Sequence, residues 1–357
     1  MDERDDRLVG NVELVAAGGF DALARVGYLD SIVAHIITNP RGALKGLPFS
    51  DPASPRSAPV REGYATGPGG ARMQLIVHGG AGSAPDDPES RQEVLDEAAA
   101  TGTGEPTPTA AVVAAIGVLE RAPRFNAGVG GAIQDDGVVR TDAGIMTDER
   151  EVGAACSMPG VRDAATVART VMTETPHVLV ADDHAVSLAE GFGVETEADL
   201  TTERTRERWA DLSPPDEGDT DERLAWVREQ FGGSDTVGAV AVEDGKIAAA
   251  TSTGGRWCAL AGRVGDVPQV GSGFYATPAG GASATGAGED IARMTLSRLA
   301  VERLEAGDSP ETAAEHAIDE LAVETDGGAG IIVLDDEGRV GSAYNTDAMQ
   351  TSTAEQS

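Results

Sequence analysis

Lysine is nearly missing from this chain: Lys45 and Lys246 are the only two in 357 residues. Arginine therefore carries almost all of the positive charge, and 60 acidic residues against 27 basic ones leave a formal net charge of −33. That balance argues against nucleic acid as a partner, because phosphate contacts need clustered Lys and Arg. The acids are spread along the chain rather than gathered in one tail. We read this as halophilic adaptation, since concentrated salt screens such self-repulsion; an acidic surface for a basic partner is the alternative. Cysteine is scarce as well, and Cys156 and Cys258 make no disulfide framework. Aromatics are 4% of the chain, so the core must be built from Val, Ala, Leu and Ile, with 46 glycines permitting close backbone approach. No stretch reaches 18 apolar residues, so no membrane-spanning helix is expected. The opening MDERDDRLVG is acidic, unlike the basic and then apolar start of a signal peptide, and the expected compartment is the cytoplasm.

What is present fits a globular protein: 40% hydrophobic residues and length for one large or two ordinary domains. Residues 1–72 differ from the rest, with a loop-like stretch carrying Pro40, Pro48, Pro52, Pro55, Pro59 and Pro68. They are expected to be an N-terminal extension, with Met73 opening the folded domain over 73–357. Gln74 to His78 reads as a buried strand running into Gly79-Gly80-Ala81-Gly82. Helices follow over about Pro88–Ala100 and from the Thr107-Pro108 cap to Glu120. A loop with Asn126, Gly128, Gly130 and Gly131 leads to a turn at Asp135-Asp136-Gly137. Helices are expected over Asp163–Thr173 and Asp183–Glu190, with a strand at Pro176–Ala181 between them. About residues 200–235 read as an exposed, mobile linker with a short helix near Arg223–Phe231. Beyond lie a strand near Gly273–Ala276, one helix over Asp290–Leu304, another capped at Asp308 or Ser309, and a closing hairpin. Strands flank helices in each half, which predicts a layered α/β sandwich with mostly antiparallel sheets.

The centre of this arrangement is SDTVGAVAVEDGKIAAATSTGG, Ser234 to Gly255. Two apolar runs joined by Glu243-Asp244-Gly245 make a β-hairpin. A cut between Asp235 and Thr236 would place a hydroxyl and a free α-amine on one residue. That amine has an unperturbed pKa of about 7.7–8.0, and a threonine activated by its own N-terminal amine is a known covalent-catalysis device. The plainer reading has Thr236 simply opening a buried strand.

The motifs HGGAG (78–82), FNAGVG (125–130), DTVGAVA (235–241), TSTGG (251–255), GRVGDVP (262–268), ATGAGE (284–289) and NTDAM (345–349) occur in one order. In this the chain resembles the plant-type L-asparaginase and isoaspartyl peptidase family of N-terminal-nucleophile (Ntn) hydrolases, over about residues 73–349. The resemblance implies a four-layer αββα sandwich and self-cleavage into an α chain ending at Asp235 and a β chain starting at Thr236. It implies a threonine amidohydrolase acting on L-asparagine or β-aspartyl dipeptides, with Thr236 as nucleophile and Thr253 beside it. Thr285 and Gly286 match the oxyanion-stabilising pair. Arg263 and Asp266 match a clamp for the substrate's α-carboxylate and α-ammonium, and Gly286, Gly288 and Asn126 complete the substrate-binding set. No metal or organic cofactor is required, although the loop matching Leu119–Val129 holds a structural sodium ion in the family. A homodimer of αβ units is the expected assembly. Asp235, in place of glycine, resembles the glycosylasparaginase and threonine aspartase branch; Ser234 and Ala287 also depart from the common pattern. An N4-(β-N-acetylglucosaminyl)-L-asparaginase is therefore a rival activity, and an uncut, non-catalytic aspartyl-ligand-binding protein a rival of another class.

Overall fold

The computed structural model describes residues 72–215, 220–233 and 235–356. All belong to one compact unit, Thr66–Ser357; the extension expected over 1–72 lies, apart from Arg72, outside the described residues. The chain runs β1 (Gln74–Gly82), α1 (Pro88–Thr103), α2 (Pro108–Arg121), β2 (Arg140–Thr147), β3 (Val152–Pro159), α3 (Ala164–Glu174), β4 (Leu179–Ala181) and α4 (Asp182–Gly191). It continues through α5 (Glu203–Ala210), α6 (Thr220–Gln230), β5 (Val237–Glu243), β6 (Lys246–Thr253), β7 (Phe274–Thr277), β8 (Gly280–Gly286) and α7 (Gly288–Met294). The last elements are α8 (Leu296–Glu305), α9 (Pro310–Glu324), β9 (Ala329–Asp335), β10 (Val340–Tyr344) and β11 (Ala348–Glu355).

Local chemistry sets the helix starts. The Thr107 hydroxyl accepts from the Ala110 amide at 3.2 Å, and Ser309 does the same for Thr312 at 3.3 Å, each with proline in the first helical position. The expected hairpin forms: β5 and β6 pair antiparallel from Val237↔Ser252 to Glu243↔Lys246, turned by Asp244 and Gly245 at φ 50° and 71°. Both turn residues take the left-handed conformation that two-residue hairpin loops favour.

Two sheets result, in the orders β11-β1-β5-β6-β2-β3-β4 and β10-β9-β8-β7. Only β3 and β4 pair in parallel among the described strands. Ile76, Val240, Val242, Ile247 and Ala249 of the first sheet meet Phe274, Ala276, Ile332 and Leu334 of the second in a shared core. The outer face of the first sheet packs on α1 to α4, and that of the second on α7 to α9. Helices outside two face-to-face sheets make the expected αββα sandwich.

Two stretches differ from the sequence reading. The helix expected over Asp290–Leu304 is broken at Thr295, which sits at φ 49°, ψ 53°. The amides of Ser297 and Arg298 donate instead to the carbonyls of Ser272 and Gly271, so a tertiary contact replaces the helical bonds. The residues read as a linker form α5 in addition to the short helix expected near Arg223–Phe231, here α6, and Trp209 of α5 packs edge-to-face on Trp226 of α6 at 6.2 Å. Trp257 meets Trp209 in the same way, over Ile133, Val139 and Leu200. Arg223 ties α6 to the 135–137 turn through Asp135 (Nη2–Oδ1 2.8 Å).

Candidate active site

Strand β5 lies between β1 and β6, and Thr236 enters it from the end where β6 finishes at Thr253. Thr236 is buried, as is Thr253. The carbonyl oxygen of Asp235, directly before Thr236, is held by two donors: Asn126 Nδ2 at 2.7 Å and Thr253 Oγ1 at 3.2 Å. Asn126 is itself fixed, donating to the Gly255 carbonyl at 2.6 Å and accepting from the Ala132 amide at 3.0 Å. The resemblance groups Asn126 with the substrate contacts; its described hydrogen bonds are to the Asp235 carbonyl, the Gly255 carbonyl and the Ala132 amide.

The Asp235 side chain lies against Gly80, whose φ is +112°. A Cβ at Gly80 would stand 1.6 Å from Asp235 Oδ1, so only glycine fits there. Burial pushes the Asp235 carboxyl up to about 6, with the Arg91 guanidinium 3.6 Å away pulling it back down. Beneath the strand, His78 Nε2 meets Ser283 Oγ at 2.9 Å, which meets Thr251 Oγ1 at 2.8 Å. The Thr251 hydroxyl donates to the Gly273 carbonyl at 2.7 Å. Burial drives His78 down to about 3, so its ring is neutral at physiological pH.

Thr236, Thr253, Arg263, Asp266, Gly286 and Gly288 line one narrow cleft. Thr285 is fully buried beside it, and its hydroxyl accepts from the Ala81 amide at 3.3 Å. Asp266 is buried with Oδ2 unpartnered, and desolvation lifts its carboxyl to about 7 against the pull of Arg263. A Cβ at Gly288 would fall 2.5 Å from Asp266 Oδ1 and 2.8 Å from Arg263 Nη2; glycine there is what lets the two charges share the cleft.

Glu289 went unassigned in the sequence although it closes the ATGAGE motif. It accepts from Arg263 Nε at 2.9 Å and from Arg256 Nη1 at 2.6 Å, and these arginines hold it below the usual carboxylate range against the desolvation that would raise it. Arg263 Nη2 lies 2.8 Å from the same carboxylate but is too poorly aligned to hydrogen-bond. Glu120 also went unassigned. Burial lifts it to about 8 while its Oε1 accepts from Ser252 Oγ at 2.7 Å and the Ala165 amide at 2.9 Å, joining the back of β6 to α3.

The loop after α2 fits a cation held by backbone oxygens. The carbonyls of Pro123 and Phe125 converge beside Gly130, within 2.9 and 2.8 Å of where its Cβ would be. No group of three or more His, Cys, Asp or Glu side chains suited to a metal occurs among the described residues. Nor is any described helix long and apolar enough to cross a membrane.

Facing sheets between helical layers, with a threonine at the mouth of a central strand, are consistent with the sandwich fold of N-terminal-nucleophile hydrolases. Comparison with known proteins narrows this. The family model described as asparaginase matches residues 71–357, and the chain belongs to that family. It is 36% identical over 292 residues to an isoaspartyl peptidase/L-asparaginase of Danio rerio, covering 79% of this chain and 92% of the relative. It is 39% identical over 291 residues to a plant-type L-asparaginase of Pyrococcus abyssi, covering 78% and 94%. For a plant-type L-asparaginase of Pyrobaculum calidifontis the identity is 40% over 291 residues, covering 77% and 94%.

Proposed function

We propose that this protein is a self-cleaving threonine amidohydrolase that releases L-aspartate from L-asparagine and from β-aspartyl dipeptides. The observation that carries the reading is the grip of Asn126 and Thr253 on the Asp235 carbonyl, next to the Arg263–Asp266 pair. Two donors on one carbonyl oxygen are what an attack on that carbon needs, because the negative charge develops there. Thr236 Oγ adds to the Asp235 carbonyl carbon, the bond to the Thr236 nitrogen breaks with proton transfer to that nitrogen, and an ester remains. Water then cleaves the ester, leaving Asp235 with a carboxylate and Thr236 with a free amine.

In the matured site, Arg263 receives the α-carboxylate of an aspartyl group and Asp266 its α-ammonium. The Thr236 amine takes the hydroxyl proton as Oγ attacks the side-chain amide carbon, and Thr285 and the Gly286 amide stabilise the oxyanion. Ammonia or an amine departs with the proton, and water hydrolyses the aspartyl ester. In the Leu119–Val129 loop the carbonyls of Pro123 and Phe125 would hold a sodium ion, which would brace the loop that carries Asn126. The names of the relatives support this reading over a glycan-linked substrate. A homodimer of αβ units belongs to the same reading.

A denaturing gel with N-terminal sequencing tests it. Two pieces are expected, one starting at Thr236, together with ammonia release from asparagine that Thr236→Ala abolishes. One uncut band with no turnover identifies a non-catalytic binder, and preferential release of the sugar from aspartylglucosamine identifies the glycan-linked activity.

A further inference from the structure

The cleft that holds Thr236 and the clamp opens into a mouth of about 780 Å³, and Asp235, Gly255 and Arg256 line both. An aspartyl group seated on Arg263 and Asp266 has its carbonyl at Thr236, so its leaving group extends away from the clamp and into this mouth. Five arginines line it: Arg91, Arg124, Arg204, Arg208 and Arg256. In a chain with only 27 basic residues against 60 acids, such a gathering opposes the charge of the whole protein.

Carboxylates occupy some of these arginines. Arg124 pairs with Asp87 at 3.1 Å, Arg256 with Glu289 at 2.6 Å, and Arg91 with Asp235 at 3.6 Å. Arg204 and Arg208 have no carboxylate within 4.0 Å among the described residues. Arg208 instead stacks over the Trp257 ring at 4.0 Å. Before cleavage the Asp235 side chain sits in this mouth under the charges of Arg91 and Arg204, a carboxylate at the point where a leaving group would pass. Scission frees Asp235 from Thr236 and with it the partner of Arg91. The arginines of α5 do not depend on that bond. Trp209 packs on Trp226 and Trp257, and the Leu200 carbonyl accepts from the Gly130 amide at 2.8 Å.

Resting on the proposed amidohydrolase reading, we infer that this mouth is a leaving-group subsite selective for a carboxylate, with Arg91, Arg204 and Arg208 receiving it. The favoured substrates are β-aspartyl peptides whose departing residue carries an acidic group, over those whose departing residue is basic or amidated.

The test compares kcat/KM on matured protein for β-aspartyl-glutamate, β-aspartyl-lysine, β-aspartyl-leucine, β-aspartyl-leucine amide and L-asparagine. Glutamate should exceed lysine by about tenfold or more, the worth of one charge-assisted hydrogen bond. A drop on amidating leucine assigns the main-chain carboxylate as the recognised group; a gain of glutamate over leucine assigns the side chain. Arg204→Ala should lower the ratio of β-aspartyl-glutamate to L-asparagine several-fold, and Arg204→Lys should restore much of it. Because the readout is a ratio within one preparation, a poorly folded variant does not mimic the effect. Equal kcat/KM for the glutamate and lysine peptides together with no drop on amidating leucine, or a ratio indifferent to Arg204→Ala, overturns the inference. Absence of aspartate release from every compound would instead overturn the amidohydrolase reading.

Discussion

Replacing Asn126 by alanine should stall maturation while leaving a folded protein. Its Nδ2 is the shorter of the two contacts on the Asp235 carbonyl, 2.7 Å against 3.2 Å for Thr253 Oγ1. Loss of one oxyanion donor costs about 2.7–4 kcal/mol of barrier, a slowing of about 10²–10³. The same change strips the Gly255 carbonyl of its partner, while the Ala132 amide keeps the Gly254 carbonyl at 3.0 Å. The Gly255 carbonyl would cost about 1–3 kcal/mol if left dry. Asn126 lines the open mouth, however, so water replaces the amide and the cost falls at the low end. Melting should drop by about 2–4 °C per kcal/mol lost. The assay is a time course of denaturing gels on freshly folded precursor, with melting followed in parallel. Asn126→Asp, which keeps the shape but turns an acceptor toward the carbonyls, should stall equally. A folded Asn126→Ala protein that matures within threefold of the wild-type rate would refute the reasoning.

Other outcomes follow from the clamp and the charge. In the empty site burial holds the Asp266 carboxyl near 7, so below that pH a proton must leave before the substrate ammonium can pair with it. KM for L-asparagine should therefore climb as pH falls below about 7, and Asp266→Asn should raise KM and flatten that dependence. The stability sign is opposite to that of a salt-bridged acid: with the folded pKa raised above 3.8, ionising Asp266 costs stability increasingly from about pH 4 to 7, and Asp266→Asn should relieve that loss in melts taken across this range. Gly288→Ala should raise KM at least about tenfold by driving Asp266 and Arg263 apart, with a small change in melting, because the crowding involves side chains lining an open cleft. Melting temperature should rise with KCl from low salt to molar concentrations, as screening relieves a net charge of −33; a flat response would argue against salt adaptation.

Local patterns made most elements legible. Thr107-Pro108 and Ser309-Pro310 announce helices, and Asp244-Gly245 announces a hairpin, because each acts on backbone within a few residues. The break at Thr295 was invisible, since the carbonyls that receive the Ser297 and Arg298 amides belong to Gly271 and Ser272, on another segment. The tryptophan cluster was hidden for the same reason: Trp209, Trp226 and Trp257 come from three stretches with no shared periodicity. At the site, ordered motifs pointed to Thr236, Arg263 and Asp266. Asn126 was singled out without its partner, and Glu289 was quoted within a motif without a task. Only the fold brings Asn126 to a carbonyl 109 positions away and Glu289 between two arginines.

The order of the seven-stranded sheet has a last consequence. From its edge, β11 comes from after Thr236, β1 from before it, β5 and β6 from after, and β2, β3 and β4 from before. A nick at Thr236 thus yields two polypeptides interleaved like fingers, with β1 clasped on both sides by strands of the other piece. Neither can leave without tearing that sheet. Once pulled apart by denaturant, they must find each other by diffusion, so recovery becomes second order in protein where the intact chain closed the same pairings by itself.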